Sequence, residues 1–323
     1  MVEELGGPDM LALRQVPEPV PGPGQVAIEV AHAGVNFADV MARAKGYRVG
    51  SLPFVPGLEA SGWIRALGEG VTDVELGQPV TALTGAGSYA DMVLAPAAVT
   101  FGVPDGLDLR TAAALPIILP TAHALIHEMG RLRPGESVLV HGAAGGVGTV
   151  VGQIAQLAGA GTVYGVVSTA DKANYALQFG YDEVFLATDF DDGVRAATGG
   201  RGVDVALDPV GGETWRRSLE LLAPFGRLIS FCNASNAEPW SAQYGSLAPA
   251  ATSVHGFSVS TLATTVPDVL RPIADAAFRL VAEGKVTVPI THEYSLEEAA
   301  EAHRLLESRT STGKIVLRVA NES

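Results

Sequence analysis

His141-Gly-Ala-Ala-Gly-Gly-Val-Gly148 is the stretch that decides the fold. It follows Glu136 to His141, a short apolar run with Ser-Val-Leu-Val at its heart, and it opens a helical stretch from about Gly146 to Leu157. Glycines at a strand-to-helix turn allow a tight reversal and let the backbone approach a pyrophosphate closely. The first N–H groups of the helix then face the phosphates. The glycine spacing is a variant of G-x-G-x-x-G, and its weight comes from its place inside a strand–loop–helix–strand unit.

Outward from this loop the alternation continues. Thr162–Val167, Asp182–Leu186, Val203–Leu207 and Arg227–Phe231 read as strands, separated by helices over Asp171–Phe179, from near Asp191, and over Glu213–Leu222. Such alternation predicts a parallel sheet covered by helices on both faces. The beginning of the chain differs. Gln25–Val30, Ser61–Ala66, Val80–Leu83 and Tyr89–Leu94 are short strands punctuated by Gly and Pro, the pattern of a small antiparallel barrel or sandwich. Near the end, Leu296–Leu306 reads as an amphipathic helix and Lys314–Val319 as a strand that rejoins the first domain. The expected division is therefore a barrel-like domain over 1–120, completed by 258–323, and a nucleotide-binding domain over 121–257.

Composition bounds the function. The chain has 323 residues, 47% of them hydrophobic and 17% charged, which suits two folded domains rather than disorder. A net charge of −14 with no basic run argues against nucleic acid and anionic membranes as partners. The single cysteine, Cys232, leaves no intrachain disulfide and no multi-cysteine zinc site, and points to a cytoplasmic home. Glu3 and Glu4 stand where a signal peptide needs basic residues. Ala112–Leu119, the most apolar short run, is too short to span a bilayer and contains Pro116.

The end of the second strand of the nucleotide-binding domain chooses the cofactor. An NAD-binding fold places Asp or Glu there for the ribose 2′-hydroxyl. Here the strand ends in Val166-Val167-Ser168-Thr169, followed by Lys172, and hydroxyls with a lysine suit a 2′-phosphate. Asp171 reads as a helix cap.

These features together resemble the medium-chain dehydrogenase/reductase superfamily, in its zinc-independent quinone oxidoreductase branch. The resemblance is carried by Gly34-Val-Asn-Phe-Ala-Asp39, Pro56-Gly-Leu-Glu59, Ala113-Ala-Leu-Pro116 leading to Thr121-Ala122, and Val138 to Gly148. Asp208-Pro-Val-Gly-Gly212, Phe231-Cys-Asn-Ala-Ser235, Gly256-Phe257, Glu307-Ser-Arg309 and Ser311-Thr-Gly-Lys314 extend it along the chain. It implies an α/β fold: a GroES-like β-barrel catalytic domain plus a Rossmann doubly wound parallel sheet, with NADPH in the cleft between them. It also implies roles. Asn36 and Tyr47 face the substrate as catalytic residues, and Asn36 and Thr121 lie near the nicotinamide. Ala144, Gly145, Gly146, Val147 and Gly148 hold the pyrophosphate, while Ser168, Lys172 and Arg309 meet the 2′-phosphate. Phe231 and Asn233 line the nicotinamide half. The family's homodimers pair Rossmann edge strands, and Ser253–Ser260 alternates like such a strand.

The departures matter as much. Met41 and Ala187 stand where the family often has tyrosines, and the stretch Glu4-Leu-Gly-Gly-Pro comes about half a strand early. The family's zinc enzymes ligate their metal through a cysteine where this chain has Asn36 and a histidine where it has Leu58, neither of which can replace a thiolate or an imidazole. His123 and His127 share a helix face without a zincin glutamate between them. The expectation is hydride transfer from NADPH to a small conjugated carbonyl or quinone, with no metal. An enoyl-thioester reductase of the polyketide type and a non-enzymatic NADPH-binding protein are the alternatives.

Overall fold

The computed structural model describes residues 1–238 and 240–319. Pro239, in the loop-like stretch Asn233–Ala251, and the last four residues of the expected 258–323 segment lie outside the described residues. Two compact units divide the chain: Met1–Pro120 with the segment from Val259, and Thr121–Ser258.

The first unit opens with β1 (Gln25–Val35), β2 (Glu59–Leu67), β3 (Pro79–Leu83), β4 (Met92–Pro96) and β5 (Thr100–Gly102). The second contains β6 (Ser137–His141), β7 (Thr162–Val167), β8 (Glu183–Leu186), β9 (Val203–Asp208), β10 (Leu222–Ser230) and β11 (Ser253–Gly256). The chain then returns to the first unit with β12 (Ile290–Ser295) and β13 (Lys314–Arg318). The first sheet runs β12-β13-β1-β2-β3-β5. On the other edge of β1, β4 pairs with residues 25–29 and β13 with residues 32–35. β1 extends five residues past its sequence-predicted end because Ala31, Ala33 and Gly34 are small and carry little strand signal, yet the segment is held on both edges. The strand expected over Tyr89–Leu94 sits instead at Met92–Pro96. Tyr89 is a core residue, its hydroxyl 3.1 Å from His303 Nε2. The core of this unit is built on Ile28, Ile64, Val80 and Ile315, and burial of each such side chain contributes about 1.5–3 kcal/mol.

The second unit is a parallel sheet in the order β11-β10-β9-β6-β7-β8. Strand order reverses between β6 and β9, which makes a topological switch point at their carboxyl ends. This is the Rossmann arrangement. Two local expectations need correction. The helix after β7 is capped by Thr169, whose side chain accepts from the Lys172 N–H, while Asp171 lies inside the first turn. Thr169 takes the extended backbone that an N-cap needs, and the helix already begins at Ala170. The strand expected over Ser253–Ser260 ends at Gly256, and a helix begins at Val259. Among the described residues no helix is long and apolar enough to cross a membrane.

Candidate functional site

In the Rossmann unit the sequence-predicted cofactor residues, apart from Thr121 in the helix Leu115–Ala124, lie at or just past the carboxyl ends of the strands. The loop after β6 turns at Gly142, with φ at 69°, and Gly145 is the N-cap of the helix Gly146–Leu157. That end leaves backbone N–H groups without helical partners, aimed outward from the loop. A Cβ on Gly148 would run into the Gly142 carbonyl and the Ala143 backbone, so glycine is what lets this helix seat against the loop. Tyr181 secures the same turn by donating to the Gly148 carbonyl at 2.6 Å. Ser168 is exposed at the end of β7, and Lys172 is half-buried one turn into the following helix. Burial lowers the Lys172 ammonium from its ordinary value, so an anion brought against it restores what desolvation removed. Phe231 and Asn233 follow β10, and Thr121 is buried at the start of this unit. Asn233 is occupied by its own loop: it donates to the Ala237 carbonyl at 3.0 Å and accepts from the Ala237 N–H and the Ser235 hydroxyl.

Asp208 stands at the carboxyl end of β9. It is fully buried, and its carboxylate accepts from the Val210 and Gly211 N–H groups. Burial pushes it up to about 6 against the pull of those hydrogen bonds. It therefore shapes the turn beside the switch point.

In the first unit a buried polar cluster surrounds Asn36. Its amide nitrogen donates to Glu59 Oε1 at 2.8 Å, and its amide oxygen accepts from Lys314 Nζ at 2.7 Å. Lys314 also donates to Glu59 at 2.6 Å and to the Val35 carbonyl at 3.0 Å, and the second Glu59 oxygen accepts from the Ile117 N–H at 2.8 Å. Asp39 accepts from the Asn36 and Gly57 N–H groups. Burial, partly offset by those N–H groups, pushes its carboxyl up to about 7. Gly34 makes room for this cluster, since a Cβ there would strike the Glu59 carboxylate and the Ala113 carbonyl. Tyr47 lies past the far end of the nine-residue helix Phe37–Lys45 and is 43% exposed. Asn36 is the N-cap of that helix, which is about 13 Å long, so the two expected catalytic residues sit at opposite helix ends. Arg309 is exposed, with φ at 57°.

Sequence reasoning gave Glu59 and Lys314 no role. The one available signal was a lysine opening an otherwise apolar strand, Lys314-Ile-Val-Leu. The His123 and His127 rings lie 4.4 Å apart, and burial pushes His123 down to about 4. Among the described residues no group of three or more His, Cys, Asp or Glu is placed to hold a metal ion.

Comparison with known proteins fits this geometry. Residues 22–105 match the family model of the alcohol dehydrogenase GroES-like domain, and residues 179–317 that of the zinc-binding dehydrogenases. The synaptic vesicle membrane protein VAT-1 homolog of Danio rerio is 35% identical over 97% of this chain and 68% of its own. The 2-haloacrylate reductase of Burkholderia sp is 34% identical over 98% of this chain and 97% of its own. The crystal structure of Escherichia coli quinone oxidoreductase complexed with NADPH superposes with a TM-score of 0.90, at 31% identity over 98% of each chain. The chain belongs to the medium-chain dehydrogenase/reductase superfamily, in its quinone oxidoreductase branch. Two of these three proteins are named as a reductase or an oxidoreductase, which supports an oxidoreductase acting on a small molecule.

Proposed function

We propose that this protein is an NADPH-dependent reductase of quinones or other electron-poor conjugated carbonyls, working without zinc. The observation that carries the reading is the polar group at the expected substrate site: an amide, Asn36, fixed by Glu59 and Lys314. An amide is a hydrogen-bond donor and no Lewis acid. It suits acceptors whose developing negative charge already delocalises to an oxygen, and it suits isolated ketones or alcohols poorly.

The residues at the carboxyl edge of the Rossmann sheet fit NADPH. The cradle at Gly148 would be filled by any Cβ, and Ser168 and the half-buried Lys172 stand where an NAD-binding fold has a carboxylate. Gly145 to Gly148 would hold the pyrophosphate, and Ser168, Lys172 and Arg309 the 2′-phosphate. When bound, NADPH supplies the hydride. Asn36 orients the acceptor and donates a hydrogen bond to its oxygen. Solvent delivers the proton, or the Tyr47 phenol does so from the other end of the helix Phe37–Lys45. The similarity to a 2-haloacrylate reductase favours a second acceptor class for the same machinery, a conjugated carbon–carbon double bond.

The test is NADPH oxidation with 1,4-benzoquinone, 9,10-phenanthrenequinone and a simple enone, beside oxidation of simple alcohols with NADP⁺, each with and without a zinc chelator. Turnover of conjugated acceptors, indifferent to the chelator, is expected. Alcohol oxidation alone, or activity lost on chelation and restored by zinc, would overturn the reading. Tight NADPH binding with no turnover at all would shift it to a non-enzymatic NADPH-binding protein.

A further inference from the structure

We propose that Lys314, ion-paired to Glu59, is a positioning residue that locks the Asn36 amide in one orientation and polarises its free N–H toward the acceptor oxygen. The inference rests on the reading of Asn36 as the acceptor's hydrogen-bond donor.

Lys314 and Glu59 are both buried, with side chains 3% and 0% exposed. An ammonium has three N–H donors and no acceptor. Lys314 directs them at the Val35 carbonyl, Asn36 Oδ1 and Glu59 Oε1. A carboxylate only accepts. A flipped Asn36 would set its NH₂ against an ammonium and its carbonyl against a carboxylate, so the amide has one allowed orientation. In that orientation Oδ1 is taken by Lys314 and one N–H by Glu59. The second N–H remains, on a residue only partly buried. A cation on the amide oxygen draws electron density from the nitrogen, and this strengthens the remaining N–H as a donor. Buried ion pairs are weak sources of stability, so geometry and charge at Asn36 give this one its use. Gly34 supplies the clearance that lets Glu59 reach it.

The test compares the wild type with the double variant Glu59→Gln/Lys314→Met, which removes both charges together. Lys314→Met alone would leave Glu59 buried and charged without its counter-cation, held only by the Asn36 amide and the Ile117 N–H, and is prone to misfold. The first readout needs no turnover: the side-chain amide proton resonances of Asn36, assigned by their loss in Asn36→Ala. In the double variant the proton that donates to Glu59 should move upfield and exchange with solvent about tenfold faster, as for loss of one charge-assisted hydrogen bond. Unchanged resonances would overturn the proposal.

The second readout is kinetic. The double variant should bind NADPH as the wild type does and lose kcat more with a simple enone than with 1,4-benzoquinone, because the weaker electrophile depends more on the donor. It should lose nothing further in an Asn36→Ala background. An equal loss with every acceptor, or a full additional loss in that background, would contradict the proposal. If the wild type reduces no acceptor, the functional reading fails, and the amide resonances alone decide whether Lys314 holds Asn36.

Discussion

Glu59 and Lys314 lie 255 positions apart in the sequence and 2.6 Å apart in the fold. The first opens β2 and the second opens β13, and both strands flank β1. The pair closes on the Asn36 amide at the end of β1, so a contact spanning most of the chain fixes a single side chain.

The clearance at Gly34 gives the first prediction. Gly34→Ala places a methyl group against the Glu59 carboxylate and the Ala113 backbone carbonyl, neither of which is a flexible side-chain end free to move aside. Overpacking of this kind costs about 1–3 kcal/mol. Urea unfolding should show that loss. A variant as stable as the wild type would mean that Glu59 is not held where the structure places it.

The second prediction concerns cofactor choice. One charge-assisted contact to a 2′-phosphate contributes about 1.5–3 kcal/mol, so NADPH should bind at least about tenfold tighter than NADH. Lys172→Ala should erase most of that preference while leaving NADH affinity unchanged. Fluorescence titration of both cofactors checks it, and equal wild-type affinities would contradict a 2′-phosphate role for Ser168 and Lys172.

Assembly provides the third. β11 pairs with β10 on one side and ends the sheet on the other among the described residues. An open edge of this kind is a template for a second copy. A homodimer is expected by light scattering, and replacing Val254 by proline, which cannot donate to a ladder, should weaken it. A monomer at every concentration would refute the edge-strand dimer.

Acid stability gives the fourth. Burial, with Arg43 adding to it, pushes His303 down to about 3, and burial with Arg217 does the same to His141. In the unfolded chain both titrate near 6.5. The unfolded state therefore binds more protons between these values. The stability these two rings contribute is complete above about pH 6.5 and is lost as the pH falls toward 3, by up to about 1.4 kcal/mol per pH unit for each. In His303→Gln the slope of stability over that window should be shallower by about one proton. An unchanged slope would show that His303 is protonated in the folded protein.

The fold was largely legible because its signals are local. The Gly142–Gly148 loop and the strand–helix alternation around it lie within a few dozen residues, and the helix Gly146–Leu157 begins and ends where the pattern predicts. By residue type Thr169 and Asp171, two residues apart, are both capping residues. Only the backbone, extended at Thr169, distinguishes them. The candidate site was half legible. Asn36 and Lys172 could be read from their motifs, whereas the partners of Asn36 come from the start of another strand and from the far end of the chain. Nothing in the spacing of Glu59 and Lys314 announces that they meet.

Transfer of hydride is the central claim, and isotopic labelling tests it most directly. NADPH carrying deuterium at one or the other face of nicotinamide C4 is oxidised by the protein with 1,4-benzoquinone under single-turnover conditions. A bound cofactor presents one face only, so a normal primary isotope effect is expected for one label and none for the other. Oxidation with no isotope effect for either label, or no oxidation despite saturated NADPH binding, would contradict it.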